Sequence, residues 1–316
     1  MTLASTVAGG DDATTLASRI ATEVLGRAVT AVRPLAGGMV ARGFRVHAGA
    51  DAVVVRVQPG LPGAFDADWG VMPLLAGSAI PVPDLLGAGV TDGAGWTVTR
   101  FAPGTPADAL DAAALGEVFP EMLSILAAIH QVDPGSTTGY GILGADGNGQ
   151  SASWRQSHLD QFDPARPGYW HDWRRRLADS PMDWATFDEW HGRLPDLLAR
   201  CPETRALVHG DYGYNNLLVH EGRVSAVIDW SIARWGDPLY DVAWLSAFPM
   251  PIDPRPALDA AFGHYGENAA DYARRVATYR AIVYLDTMRS FAGRNDADAL
   301  KWVAGLLEGL RPELEV

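Results

Sequence analysis

The sequence predicts an α+β fold with two lobes: a small N-terminal lobe with an antiparallel sheet and a helix, and a larger, mainly helical C-terminal lobe. The chain has 316 residues, which is long enough for two lobes. Short strand-like runs occupy residues 35–99, whereas apolar residues at helical spacing dominate after the break at 100–104. We therefore divide the chain into an N-terminal lobe of residues 1–102 and a C-terminal lobe of residues 103–316.

The N-terminal lobe should begin with a helix, because apolar residues recur at helical spacing over 14–29. Residues 35–57 then read as three antiparallel strands, with Gly37 and Gly38 in the first turn. A glycine turn of this kind lets backbone N–H groups approach phosphates. Two further elements are predicted, a helix and a last strand, over 66–75 and 96–99.

The C-terminal lobe reads as helical. Apolar periodicity predicts four of its helices, over 115–129, 184–198, 269–291 and 297–310. Pro120 should kink the first of these helices or lie in its first turn. Residues 133–169 lack apolar periodicity and are rich in Gly, Ser, Asp and Pro, so we expect a long loop that flanks a binding pocket.

The most specific signal lies between residues 207 and 245. An apolar lead-in is followed by His209-Gly210-Asp211, and Asn216 comes five residues after the aspartate. Residues 217–228 read as two short strands joined by a turn, and Asp229 follows the second strand. The spacing therefore predicts that Asp211, Asn216 and Asp229 converge at one end of a tight two-stranded ribbon.

An acid, an amide and a second acid in this arrangement match the parts of a phosphoryl-transfer site. Asp211 would accept the proton of a substrate hydroxyl, while Asn216 and Asp229 would hold Mg²⁺ on the phosphates of ATP. A metal hydrolase built on His209 and Asp211 is an alternative, but no second histidine cluster completes it. A nucleotide-binding module without activity would lack the base or a metal ligand, and the sequence has all three.

The pattern of these residues resembles the aminoglycoside phosphotransferase family, whose fold is similar to that of protein kinases. The similar stretches are HGDxxxxN, then VIDW, then GDP with Asp241 four residues after Asp237, and the resemblance spans residues 35–302. It implies phosphoryl transfer from ATP, or alternatively GTP, to a hydroxyl of an aminoglycoside antibiotic such as hygromycin B, with resistance as the result. Macrolides, sugars, choline-like alcohols and fructosamines remain alternative acceptors, and Ile232 stands where the resemblance favours a carboxylate.

Sites of this kind need a cation on the third strand to hold the phosphates. Lys301 is the only lysine and lies far along the chain, so Arg56 is the candidate, with a guanidinium that can grip two phosphate oxygens. The acid that orients it should lie on the next helix, at Asp66 or Asp68. The family's spacing from Pro81 favours Asp68.

The resemblance also implies a nucleotide site. Its backbone contacts are expected from Gly37, Gly38, Arg100, Phe101 and Ala102, with the last three facing the adenine. We expect substrate contacts from Asp286, Tyr212, Trp230 and Trp235, and support of the site from His209, Asp237 and Asp241. Asp237 precedes Pro238, which indicates the start of a helix. Asp241, one turn later, either holds the catalytic loop together or faces solvent.

The net charge of −13 is unevenly distributed. Residues 1–104 hold 7 Arg and 8 acids, and the remainder holds 18 basic and 30 acidic residues. Nucleic acid and anionic membranes are poor partners for such a chain, whereas a cationic small molecule is a suitable one. Cys201 is the only cysteine, which excludes an internal disulfide. Neither a secretory leader nor a stretch approaching about 20 apolar residues is evident, so we expect a cytoplasmic monomer or weak dimer.

Overall fold

The computed structural model describes residues 10–35 and 41–314. The first part of the chain forms helices and strands in the order α1 (Gly10–Leu25), β1 (Ala31–Pro34), β2 (Arg42–Ala48), β3 (Asp51–Gln58), α2 (Asp66–Leu75), β4 (Leu85–Thr91) and β5 (Ala94–Arg100). The five strands form one antiparallel sheet in the order β1-β2-β3-β5-β4. The two helices and the last strand agree with the sequence prediction, whereas β4 was not predicted.

Alternation along β3 decides which side chains face the core. Val53, Val55 and Val57 are fully buried and pack with apolar residues of α1, including Ile20. Because successive side chains of a strand point to opposite faces, Arg56 lies on the other face of the sheet, toward the rest of the molecule. The predicted turn at Gly37 and Gly38 lies outside the described residues.

The remainder of the chain carries the other strands and helices. They are β6 (Thr105–Pro106), α3 (Ala112–His130), β7 (Tyr140–Leu143), β8 (Gly149–Ser151), α4 (Trp154–Gln161), α5 (Trp173–Arg176), α6 (Trp184–Leu198), β9 (Ala206–Val208), β10 (Leu217–His220), β11 (Arg223–Val227), β12 (Arg234–Gly236), α7 (Leu239–Ala247), α8 (Arg255–Phe262), α9 (Ala269–Gly293), α10 (Ala297–Glu308) and α11 (Arg311–Leu314). The four helices predicted from apolar periodicity are present as α3, α6, α9 and α10, and the helix start predicted at Pro238 is present as α7. Helices α4, α5, α8 and α11 were not predicted.

Helix α3 contributes a run of buried apolar residues to the larger core. Over an 18-residue window its mean hydropathy is 1.6, so by length and composition alone α3 would suit a membrane span, contrary to the expectation that no stretch approaches that length. The apolar composition has a different cause here, because Leu115, Met122 and Ile129 are fully buried against the surrounding helices. Pro120 lies inside the helix and not in its first turn.

Residues 133–169 are not the long loop that the sequence predicts. They contain β7, β8 and α4, and β7 is an inner strand of a four-stranded sheet with the order β8-β7-β12-β9. Its partner β12 lies almost a hundred residues further along the chain, with Trp235 paired to Gly141. Because this pairing is long-range, the local sequence pattern does not reveal it.

The apolar core crosses the predicted lobe boundary. Ala67, Val71 and Leu75 of α2 pack into the same cluster as α3 and β7, and not with the valines of β3. Helix α2 therefore rests on the larger lobe although it precedes the linker in sequence. The division at residues 102 and 103 remains a prediction.

Candidate active site

The loop that carries Asp211 is held from below by Asp241. Asp241 is fully buried and accepts hydrogen bonds from the backbone N–H groups of His209, at 2.8 Å, and Gly210, at 2.9 Å. His130 adds a contact at 3.3 Å from its Nε2 to the same carboxylate. Of the two alternatives for Asp241, solvent exposure is thus wrong, and the carboxylate fixes the backbone just before Asp211.

His209 itself is buried and braces the loop. Its Nε2 lies 3.0 Å from the carbonyl oxygen of Ile228, and its ring packs on Trp230. Burial lowers the pKa of His209 below its usual value, so the ring is held neutral near pH 7. The neutral ring is thus packed and hydrogen-bonded inside the protein.

Asp211 and Asn216 are in direct contact. Asn216 Nδ2 donates to the backbone oxygen and to Oδ2 of Asp211, both at 2.9 Å. Burial, followed by the negative charge of Asp229, raises the pKa of Asp211 to about 8, and the hydrogen bond from Asn216 opposes this rise. A carboxyl group with so perturbed a pKa, beside a second acid, is typical of a functional site.

Asp229 follows the β10–β11 hairpin, in which Leu217 pairs with Val227. Its φ of 63° lies in the left-handed region, which aspartate tolerates better than most residues. Asp229 Oδ1 accepts from Ser231 Oγ at 2.6 Å and from Arg56 Nη2 at 2.5 Å. Burial alone would raise the pKa of Asp229, but the charge of Arg56 and the Ser231 hydrogen bond outweigh it and lower the pKa.

Arg56 bridges two acids. Its Nη1 lies 3.0 Å from Asp68 Oδ1 and its Nη2 contacts Asp229, so the predicted ion pair between Arg56 and Asp68 is present. Burial raises the pKa of Asp68 to about 6 against the opposing effect of Arg56. The guanidinium therefore stands between the helix α2 acid and the acid at the end of the catalytic hairpin.

The donor set suits Mg²⁺. Asp229 and Asn216 offer carboxylate and amide oxygens, which are the hard ligands that this ion takes. Within residues 10–35 and 41–314, no group of three or more His, Cys, Asp or Glu side chains is placed to hold a metal. That arrangement fits an ion bound by one or two carboxylates together with nucleotide phosphates and water, and it does not fit an all-protein cage.

The predicted adenine-facing stretch has one free backbone donor. The N–H of Arg100 donates to Asp84 at 2.9 Å and that of Phe101 to Ala52 at 3.0 Å, so both are used within the sheet. Pro103 has no N–H. Ala102 is thus the residue of this stretch whose N–H has no acceptor in the described parts of the chain. Gly37 and Gly38, the other predicted nucleotide contacts, lie outside those parts.

Three predicted substrate contacts are wrong. Tyr212, Trp230 and Trp235 are 0%, 2% and 0% exposed, and each uses its polar atom on a backbone oxygen inside the protein. Tyr212 donates to Met122, for example, at 2.8 Å. The apolar rings of all three residues are needed in the core beneath the loop.

Asp286, the fourth predicted substrate contact, lies beside the site. Its charge contributes to the raised pKa of Asp211, and its side chain is 30% exposed. Its carboxylate is already paired with Arg289, which is fully buried and stacked among the rings of Phe162, Trp170 and Trp173. Sequence reasoning missed Arg289, although its place one turn after Asp286 on a helix was a usable signal.

Asp237 supports the site from a distance. It accepts from the backbone N–H of Leu239 at 3.1 Å, at the start of α7, as the sequence predicts. It also accepts from Arg275 Nη2 and from the hydroxyl of Tyr279, each at 2.7 Å, and all three side chains are buried. Nothing in the sequence near Asp237 indicated these partners on α9. They fix α7, and with it Asp241, to the longest helix of the protein.

An acid with a raised pKa, an adjacent amide and a second acid, with a bridging arginine beneath a five-stranded sheet, are the parts that a phosphotransferase site on a kinase-like fold requires. Comparison with known proteins agrees. The model of the phosphotransferase enzyme family matches residues 31–277, and the chain belongs to that family. The resemblance drawn from the motifs around Asp211 and Asp229 is therefore confirmed.

The chain is also similar to individual proteins. Hygromycin-B 4-O-kinase of Escherichia coli is 32% identical over 216 residues, which cover 68% of this chain and 61% of that protein. The chain thus matches about three fifths of the length of this relative. Acyl-CoA dehydrogenase family member 11 of Gallus gallus is 27% identical over 235 residues, only 28% of its length. A structure of a thermostable mutant of aminoglycoside phosphotransferase APH(4)-Ia with ADP and hygromycin B superposes with a TM-score of 0.77, at 26% identity, over 94% of this chain and 98% of that one.

Proposed function

We propose that this protein transfers the γ-phosphoryl group of ATP to a hydroxyl of an aminoglycoside antibiotic of the hygromycin B type and so confers resistance to it. The observation that carries the proposal is that Asp211, Asn216 and Asp229 lie close together, with Arg56 in contact with Asp229. The relatives that bind ADP and hygromycin B support the choice of nucleotide and acceptor.

Asp211 acts as the base in this proposal. Its Oδ2 is engaged by Asn216, which leaves Oδ1 to receive the proton of the acceptor hydroxyl. A pKa of about 8 makes the carboxylate a stronger base than an ordinary aspartate, close to the range in which general bases are most effective at neutral pH. Asp241 keeps the loop in place, so that the carboxylate is oriented before the substrates bind.

Asn216 and Asp229 would hold Mg²⁺, which when bound neutralises charge on the phosphates. Arg56, oriented by Asp68, would donate hydrogen bonds to phosphate oxygens once the nucleotide is present. We further propose that the N–H of Ala102, together with Gly37 and Gly38, contacts the nucleotide. The protein's own contribution is thus positioning and charge compensation.

The acceptor side has two readings. The excess of acids after residue 104 favours a cationic aminoglycoside. The pairing of Asp286 with Arg289 partly neutralises this carboxylate, and Ile232 offers no charge, which favours a less strongly charged hydroxyl compound, such as a sugar or a macrolide, as the second candidate. We place hygromycin B first because of the similarity to its 4-O-kinase.

A coupled ADP-release assay distinguishes these candidates. The purified protein is tested with ATP and Mg²⁺ against hygromycin B, other aminoglycosides, a macrolide and a neutral sugar, with acceptor-free reactions as the baseline. Release of ADP that depends on hygromycin B is the expected result. Turnover with a neutral alcohol alone would support kinase activity but exclude an antibiotic as the acceptor. If none of these compounds stimulates the release of ADP, the proposed class of acceptor is wrong.

A further inference from the structure

Helix α2 crosses the tip of the β7–β8 hairpin at a point where two backbones touch. A Cβ atom at Gly70 would overlap the carbonyl oxygen of Gly144 and would lie 3.0 Å from the backbone nitrogen of Gly147. From the other side, a Cβ at Gly147 would lie 3.2 Å from the carbonyl oxygen of Gly70. Only glycine permits so close an approach of helix and hairpin.

The hairpin tip, residues 144–148, is internally braced. Gly144 N–H donates to Asn148 at 2.8 Å, and Gly147 N–H donates back to Gly144 at 3.0 Å. Asp146 accepts from the backbone and side-chain nitrogens of Asn148 at 3.0 and 2.7 Å. From beneath, Trp235 Nε1 donates to the carbonyl oxygen of Gly147 at 2.9 Å. The tip is therefore a stiff support and not a loose turn.

The elements on both sides of the hairpin, β12 and α2, are connected to the guanidinium of Arg56. On one side, β7 pairs with β12, which begins five residues after Asp229. On the other side, Gly70 lies two residues after Asp68 in α2. Asp68 and Asp229 are the two acids that hold Arg56. Contacts through the hairpin therefore connect Asp68 with Asp229 and fix the positions of both acids.

We propose that the hairpin tip is a strut that sets the position of α2, and that Gly70 is a positioning residue for nucleotide binding through Asp68 and Arg56. The proposal rests on the proposed function, because it takes Arg56 as the phosphate-binding cation. It adds that the affinity for nucleotide depends on the contact between α2 and the hairpin tip of the larger lobe. Gly70→Ala must push α2 away from residues 144–148, which moves Asp68 out of the ion pair.

The expected effect is a rise of about tenfold in the Kd for ATP, the scale of one lost charge-assisted hydrogen bond. Nucleotide affinity is measured by titration calorimetry for the wild type, Gly70→Ala, Asp68→Asn and the double variant. Because Gly70 acts through Asp68, the double variant should bind no more weakly than the weaker single variant. A turnover assay should show the loss mainly in KM for ATP.

Gly192→Ala is the matched control, since Gly192 lies in helix α6 with open space where its Cβ would stand. Its nucleotide affinity should equal that of the wild type. If Gly70→Ala does not fold, Asp146→Ala takes its place, because the exposed Asp146 braces the tip through its hydrogen bonds with Asn148. That variant should weaken ATP binding by a few-fold.

Two results overturn the strut while leaving the proposed function intact. One is a folded Gly70→Ala, or Asp146→Ala in its place, with wild-type affinity for ATP although Asp68→Asn is impaired. The other is a double variant whose losses simply add. Failure of the wild type itself to bind ATP would instead refute the proposed function, and the strut proposal would fall with it.

Discussion

Asp286 of helix α9 is ion-paired with Arg289, three residues further along the same helix, and the arginine is fully buried. The pair gives Asp286 a structural role besides any contact with an acceptor. Asp286→Asn leaves a buried guanidinium without its counter-ion, which should destabilise the fold by about 2 kcal/mol, below the ~3–5 kcal/mol of a fully buried pair because the acid is partly exposed. Chemical denaturation measures this loss.

The same variant should raise the KM for the acceptor and leave the KM for ATP nearly unchanged. For the stability measurement, Asp188→Asn is the control. Asp188 pairs with Arg174 at the surface, 2.6 Å away, where such pairs contribute about 0–1 kcal/mol to the free energy of unfolding. An Asp286→Asn protein as stable as this control would show that Arg289 does not depend on Asp286.

Arg56 holds Asp68 and Asp229 with two different nitrogens, which a lysine cannot imitate. Arg56→Lys should therefore keep the charge but lose the fork, with an affinity for ATP reduced about tenfold, the scale of one charge-assisted hydrogen bond. Arg56→Met should lose more. Titration with ATP and Mg²⁺ measures both, and Arg33→Lys, at an exposed position of strand β1, is the control. Wild-type affinity in Arg56→Met would exclude Arg56 from the nucleotide site.

The raised pKa of Asp211 predicts how stability changes with pH. A carboxyl whose pKa is about 8 when folded, against an ordinary value of 3.8, binds more protons in the folded than in the unfolded state between these values. Its contribution to stability therefore decreases as pH rises through this window. Asp211→Asn removes the buried charge, so its Tm should exceed that of the wild type, and by more at pH 8.5 than at pH 5.

These melting curves are recorded without nucleotide and with EDTA, since bound Mg²⁺ would change the charge of the site. Asp253→Asn is the comparison, because a hydrogen bond from Arg255 lowers the pKa of Asp253, and its removal should give no such gain. A Tm difference for Asp211→Asn that is independent of pH would mean that Asp211 has an ordinary pKa.

The convergence of the site residues was predictable because it depends on local geometry. A turn and a hairpin separate Asp211, Asn216 and Asp229, and both are recognisable from the sequence pattern. The pairing of Arg56 with Asp68 followed from the scarcity of lysine and from the family's spacing. In both cases a short stretch of chain, or one residue type, limited the alternatives.

The contacts that the sequence did not reveal are long-range. The strand pairing of Trp235 with Gly141 joins segments that carry no matching pattern, so residues 133–169 looked irregular. Burial of Trp235 follows from that pairing, which is why it was mistaken for a substrate contact. The support of Asp237 by Arg275 is hidden for the same reason, since charge alone does not identify a partner on a distant helix.

The role of Asp211 as the base is tested most directly by comparing Asp211→Asn with the wild type in turnover and in nucleotide binding. Phosphoryl transfer from ATP to the best acceptor is followed by ³¹P NMR, and ATP affinity by calorimetry. Loss of a general base should reduce kcat by at least about 10²-fold while the affinity for ATP is largely kept. Undiminished turnover by Asp211→Asn would show that this carboxylate does not accept the proton of the hydroxyl.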